Sequence, residues 1–127
     1  MPIMIDGWNF IRCPRSPIDD DEGDSSDSAA ILMDRLRSFQ IAHNDPITVV
    51  FDSTHGFIDA GHQNSPKLKI VAARDADEYI KRHIAKVPER QRRNLKVVSS
   101  DGDVYHFAKT YGATPVRSEE FWPKVSS

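Results

Sequence analysis

Short β-branched runs that end on an acid, alternating with amphipathic helical stretches, constrain this chain more than any other feature. Ile3-Met4-Ile5 closes on Asp6-Gly7, a turn signal, and reads as a buried strand. Ile47-Thr48-Val49-Val50-Phe51 is bounded by Pro46 and Asp52 and is the clearest strand. Leu68-Lys69-Ile70-Val71 and Leu95-Lys96-Val97-Val98-Ser99 follow, the latter leading into Ser100-Asp101-Gly102-Asp103. Thr114-Pro115-Val116-Arg117 is a short fifth strand, placed at an edge by Pro115, which cannot donate to a ladder. Between them lie helical patterns. Leu32, Leu36 and Phe39 share one face, as do Ile80, Ile84 and Val87 after an acidic first turn at Asp75-Ala76-Asp77. Val104, Phe107, Ala108 and Tyr111 mark a helix that stops at Gly112, and Ser118-Glu119-Glu120 opens a last one.

Alternating strands and helices predict an α/β fold, a three-layer αβα domain around a central, mainly parallel sheet of about five strands. At 127 residues the chain is one domain, residues 1–127. Residues 19–28 are read as an acidic flexible insert whose end caps the first long helix. No apolar run is long enough to span a membrane, and the first residues lack the basic and hydrophobic regions of a secretory signal. The lone Cys13 cannot form an internal disulfide or a zinc cluster, and no repeat is visible, so a cytoplasmic protein is expected.

Parallel sheets bind ligands beyond the carboxyl ends of their strands. Asp6, Asp52, Asp101 and Asp103 follow strands, and Asp77 lies in the first turn of the helix after the third, so all five are expected at one edge. Clustered carboxylates repel and raise one another's pKa unless a cation occupies the cluster. With oxygen donors and few histidines nearby, Mg²⁺ or Mn²⁺ suits better than zinc. His55 and His62 sit on a Gly-rich loop and are expected in solvent. His83 and His106 are expected at surface or packing positions, Tyr79 and Tyr111 as packing residues beside the core, and Cys13 has no activating partner.

The net charge of −2 conceals an asymmetry: residues 1–64 carry 4 basic and 11 acidic side chains, residues 65–127 carry 13 basic and 8 acidic. Lys81 and Arg82 on the outer face of the Asp77 helix, with Arg90, Arg92 and Arg93 beyond it, form a run of cations suited to phosphates. Trp8 can stack a base or pack into the core.

Several blocks together resemble NYN domains, the nuclease branch of the PIN-like fold, and most closely the YacP-like group. They are Ile5-Asp6-Gly7-Trp8-Asn9-Phe10-Ile11, Val49-Val50-Phe51-Asp52, Ala76-Asp77-Glu78-Tyr79-Ile80, Val97-Val98-Ser99-Ser100-Asp101, Gly112-Ala113 and Ser118-Glu119-Glu120-Phe121. The resemblance spans nearly the whole chain. It implies a metal-dependent ribonuclease, an endoribonuclease in expectation, that hydrolyses RNA and leaves 5′-phosphate and 3′-hydroxyl ends. Asp6, Asp77 and Asp101 would hold Mg²⁺ or Mn²⁺, with Asp103 a fourth, water-mediated acid. Asn9 would orient Asp6 or touch the phosphate. Asp52 is left with a local capping or pairing role. Ser100 is expected near the site, its hydroxyl or N–H within reach of a phosphate. The acidic insert departs from the family pattern, which has a shorter, less charged connection there. The implied partner is RNA, single-stranded or ribosome-associated. The alternative is an inactive RNA- or ribosome-binding module of the same fold. A receiver domain fits poorly because Asp6 stands alone after its strand. An Asp-x-Asp phosphatase would need an acid where Trp8 stands, and no Gly-rich loop follows the first strand to bind a dinucleotide.

Overall fold

Strand β1 (Ile3–Asp6) runs into helix α1 (Gly7–Arg12), and the chain continues through α2 (Ser25–Ala42), β2 (Ile47–Asp52) and β3 (Leu68–Ala73). Then come α3 (Ala76–Lys86), a 3₁₀ segment (Glu89–Asn94), β4 (Lys96–Val98), α4 (Gly102–Thr110), β5 (Thr114–Val116) and α5 (Ser118–Ser126). The structure is a computed structural model and describes residues 1–18, 25–53 and 65–126. His55, His62 and the Asp19–Asp24 part of the acidic stretch lie outside the described residues.

The five strands pair in the order β3-β2-β1-β4-β5, and every pairing is parallel. β1 is central because it is apolar on both faces, and β5 with its Pro115 takes an edge. Period-two alternation divides the core. Ile3, Ile5, Val49, Phe51 and Val98 pack toward α1, α2 and α5, while Met4, Val50 and Val97 pack toward α3 and α4. The result is the expected three layers. Asp6 continues the alternation onto the Met4 face, the face covered by α3 and its Asp77.

Three local expectations change. Asp6-Gly7 is no turn, because the chain enters α1 directly at Gly7. A Cβ at Gly7 would stand 2.6 Å from Cδ1 and Cε1 of the Phe51 ring, so close packing demands the glycine. Helix α2 begins at Ser25, inside the stretch read as a flexible insert, and runs 18 residues. Arg90, Arg92 and Arg93 lie not on an open connection but on the 3₁₀ segment before β4, at the amino edge of the sheet. Among the described residues no helix is long and apolar enough to cross a membrane.

Candidate active site

In the order β3-β2-β1-β4-β5 the chain builds outward from β1 in one direction and then in the other, so the switch point lies between β1 and β4. A cleft of about 520 Å³ opens there, at the carboxyl edge, lined by Asp6, Asn9, Asp77, Ser100 and Asp101 among others. These residues come from the end of β1, from α1, from the first turn of α3 and from the β4–α4 connection. Local capping fixes two of these elements. The Asp75 carboxyl accepts from the Glu78 N–H at 3.1 Å and starts α3. One oxygen of Asp101 accepts from the N–H groups of Asp103 at 2.9 Å and Val104 at 3.2 Å and starts α4.

Asp6 is buried, and its carboxyl is pushed up to about 7, first by burial and then by the charge of Asp77, with Asp101 adding to the rise. The Ser99 hydroxyl opposes this by donating to Asp6 Oδ2 at 3.1 Å. The Asn9 N–H also pulls it down, without closing a capping bond. No cation is among these influences. Asp77 is also raised, by partial burial and then by Asp101, Asp75 and Asp103, against a lowering from Lys81. Asp6, Asp77 and Asp101 thus share one cleft, where the charge of Asp101 raises both Asp6 and Asp77 and that of Asp77 raises Asp6. All three offer hard oxygen donors, the chemistry that suits Mg²⁺ or Mn²⁺. Among the described residues, no three acid, histidine or cysteine side chains already stand as a closed ligand set.

The other expected site residues divide. The Asn9 Oδ1 accepts from the Ser100 N–H at 2.8 Å and from the Ser118 hydroxyl at 2.7 Å. Asn9 therefore ties α1 to the β4–α4 connection and to the start of α5. Ser100 lines the cleft, but its N–H is spent on Asn9, and its hydroxyl oxygen accepts from the Ser118 N–H at 2.9 Å. Only its hydroxyl proton remains to offer. Asp103 is turned to the neighbouring groove, where Lys81 Nζ meets its Oδ2 at 2.5 Å. Arg82 pairs along α3 with Glu78 at 2.8 Å. Trp8 is a packing residue, 5% exposed, with its indole N–H donating to the Asp52 carbonyl at 3.0 Å. A ring so buried gives a base no platform.

Arg92 serves the fold. Its Nε, Nη2 and Nη1 donate to the carbonyls of Val87, Ala85 and Tyr111 at 2.9, 3.2 and 3.4 Å, tying together the ends of α3 and α4. Arg90 and Arg93 are exposed on the same 3₁₀ segment. α3 begins at the cleft and ends near this segment. Its 11 residues, at about 1.5 Å each, put these arginines roughly 16 Å from the acids.

Ser99 is the residue that sequence reasoning missed. It is buried, donates to Asp6 and accepts from the Asp101 N–H at 3.1 Å, joining the two acids through one hydroxyl. The signal that finds it is the β1–β4 register. Ile5 faces Val98, so the next step sets Asp6 beside Ser99. Arg12 and Glu119 also line the cleft and were not anticipated.

The YacP-like NYN domain family matches residues 3–127. The chain is similar to the crystal structure of Rae1 (YacP) from Bacillus subtilis, with a TM-score of 0.79 at 20% identity, covering 99% of this chain and 74% of that one. A tryptophan-to-leucine variant of the same Bacillus subtilis protein gives 0.73 at 19% identity, covering 98% and 74%. No curated protein matches. These likenesses at low identity concern the fold, whereas the family match runs through every strand, every helix and the acid cleft. The chain belongs to the YacP-like NYN domain family.

Proposed function

We propose that the chain is a metal-dependent ribonuclease, an endoribonuclease that hydrolyses phosphodiester bonds of single-stranded or ribosome-associated RNA in the cytoplasm. NYN domains are nuclease-like, which supports this reaction class. The observation that carries the reading is the convergence of Asp6, Asp77 and Asp101, from three separate elements, on one cleft at the switch point. Capping of α4 accounts for one oxygen of Asp101, whereas Asp6, buried beside it, makes no capping bond. When bound, Mg²⁺ or Mn²⁺ would supply charge neutralisation and activation of water at the phosphodiester.

The chain's own residues have defined tasks in this reading. Asp6, Asp77 and Asp101 are the donors that would hold the cation. Ser99 fixes Asp6 and the Asp101 backbone in one frame. Asn9, Ser100 and Ser118 lock α1, the β4–α4 connection and α5 together, so the cleft walls cannot drift apart. Asp103 stays in the neighbouring groove with Lys81, where it acts on Asp77 through charge alone.

The test is cleavage of a labelled single-stranded RNA with Mg²⁺ or Mn²⁺ by the wild type, Asp6→Asn and Asp101→Asn. The expected result is cleavage by the wild type and a loss of at least about 100-fold in both variants. Even residues that merely orient metal ligands cost about 10–100-fold when removed. Absence of cleavage with either metal, alongside retained RNA binding, would leave an inactive RNA-binding module. Cleavage unchanged in Asp6→Asn would remove the assigned site.

A further inference from the structure

Trp8 and Arg12 are not used by the function proposed above. They stand at i and i+4 on α1 and so share one face of the helix. The Trp8 ring is held from two directions, by its N–H on the Asp52 carbonyl and by the edge of Phe51, whose centroid is 4.8 Å away. The Arg12 guanidinium lies over this fixed ring, 4.9 Å from its centroid. Arg12 also lines the cleft, and among the described residues lining it Arg12 is the only cation. The other charged groups there are Asp6, Asp52, Asp75, Asp77, Asp101 and Glu119.

An RNA strand entering the cleft brings a phosphate with every nucleotide and meets repulsion from these acids. A cation bound among Asp6, Asp77 and Asp101 would offset part of it, at one point. A second positive group in a fixed place is needed to seat the strand. Arg12 has the required chemistry. Stacking uses the face of the guanidinium, while hydrogen bonding to phosphate uses its edge, so a ring beneath it fixes its plane without competing for phosphate.

We propose that Arg12, seated on Trp8, is the phosphate-binding residue of the cleft and grips the backbone of the RNA substrate. The assignment rests on the ribonuclease reading for its substrate, and it gives the aromatic residue after Asp6-Gly7 a task. Trp8 is the seat of the arginine, not a platform for a base. The competing role for Arg12 is a favourable cation in the last turn of α1, which would affect stability alone.

The experiment compares the wild type, Arg12→Gln, Arg12→Lys and Arg15→Gln. Arg15 is an exposed cation on the same connection that does not line the cleft, so its loss changes net charge equally. Two readouts are taken: kcat and KM for a labelled single-stranded RNA with Mg²⁺ or Mn²⁺, and RNA binding in EDTA at several salt concentrations. Arg12→Gln is expected to raise KM and weaken binding about 10-fold, with kcat within about 3-fold, because one charge-assisted hydrogen-bonded contact is lost. Its salt dependence should fall by about 0.7, the share of one phosphate on a single strand. Arg12→Lys should recover part of the loss, and Arg15→Gln should stay near wild type. Equal effects of Arg12→Gln and Arg15→Gln, or a change in thermal stability alone, would overturn the assignment. If the wild type binds RNA through Arg12 but cleaves none, the ribonuclease reading fails and the phosphate-binding role stands.

Discussion

Asp6 is the residue whose chemistry differs most from its ordinary behaviour. Its carboxyl titrates near 3.8 in an unfolded chain and near 7 in the fold. Between those values the folded chain keeps a proton that the unfolded chain releases. The stability this provides is complete below pH 3.8 and is lost as pH rises through 7. A gap of about three units corresponds to at most roughly 4 kcal/mol. In EDTA at pH 8, Asp6→Asn should therefore be more stable than the wild type by about 2–4 kcal/mol, while at pH 4 the two should nearly agree. Urea unfolding at both pH values measures this, and an Asp6→Asn protein no more stable than wild type at pH 8 would contradict it. Gly7, the next residue, is constrained by sterics. A methyl group there would press on Phe51, which is fully buried and packed edge-on to Trp8, so Gly7→Ala should cost about 1–3 kcal/mol. At Gly102, where a Cβ meets nothing within 4 Å, the same change should be neutral or stabilising by up to about 1 kcal/mol. Thermal denaturation of the two variants side by side checks the contrast. The sequence showed both glycines next to an acid and could not tell them apart, because the ring atoms that demand Gly7 are supplied by Phe51 from β2.

At the scale of elements, what was legible depended on length. The strands and α3 carry enough apolar residues to show a period, and their positions follow from it. α1 is only six residues long, buries four of them, and so has no polar face to reveal a helical period. The 3₁₀ segment has no buried residue and looks like any charged connection. Its three arginines are equivalent in sequence, yet the structure gives them different work. Arg92 reaches the carbonyls at the ends of α3 and α4 and lies over the Tyr111 ring at 5.6 Å, while Arg90 and Arg93 are exposed. Arg92→Ala should therefore cost about 1–3 kcal/mol, since it frees helix-end carbonyls from charged donors, and Arg90→Ala and Arg93→Ala should each stay within about 0.5 kcal/mol. Equal stabilities for the three variants would show that the Arg92 contacts contribute nothing to holding the two helix ends. RNA cleavage should be little altered by Arg90→Ala or Arg93→Ala, because their segment lies at the edge of the sheet away from the acids.

For the whole molecule, the meeting of the acids in one cleft was legible and the wiring of that cleft was not. A parallel sheet sends every carboxyl end to one edge, so acids read at the ends of separate strands had to meet there. Ser99, Arg12 and Glu119 join them only through contacts between distant parts of the chain, such as the Ser99–Asp6 bond across 93 positions. The modest net charge likewise hid a polar arrangement, with acids crowding the cleft and Arg90 and Arg93 at the other edge. Such a cleft stores repulsion that a divalent cation should relieve, and the relief should appear as stability of the whole domain. At a free cation concentration near 100 times its dissociation constant the gain is about 2.7 kcal/mol. For a chain of this size that is a rise in Tm of roughly 8–15 °C. At pH 8, Mg²⁺ or Mn²⁺ should raise the wild-type Tm toward that limit, EDTA should reverse it, and sodium chloride at equal ionic strength should not reproduce it. At pH 5 the rise should shrink, because Asp6 keeps its proton and the cation must displace it. In Asp6→Asn most of the rise should disappear at both pH values. A wild-type protein indifferent to both cations, or an equal rise in Asp6→Asn, would mean that the crowded carboxylates are not a cation site and that their repulsion is relieved by protons alone.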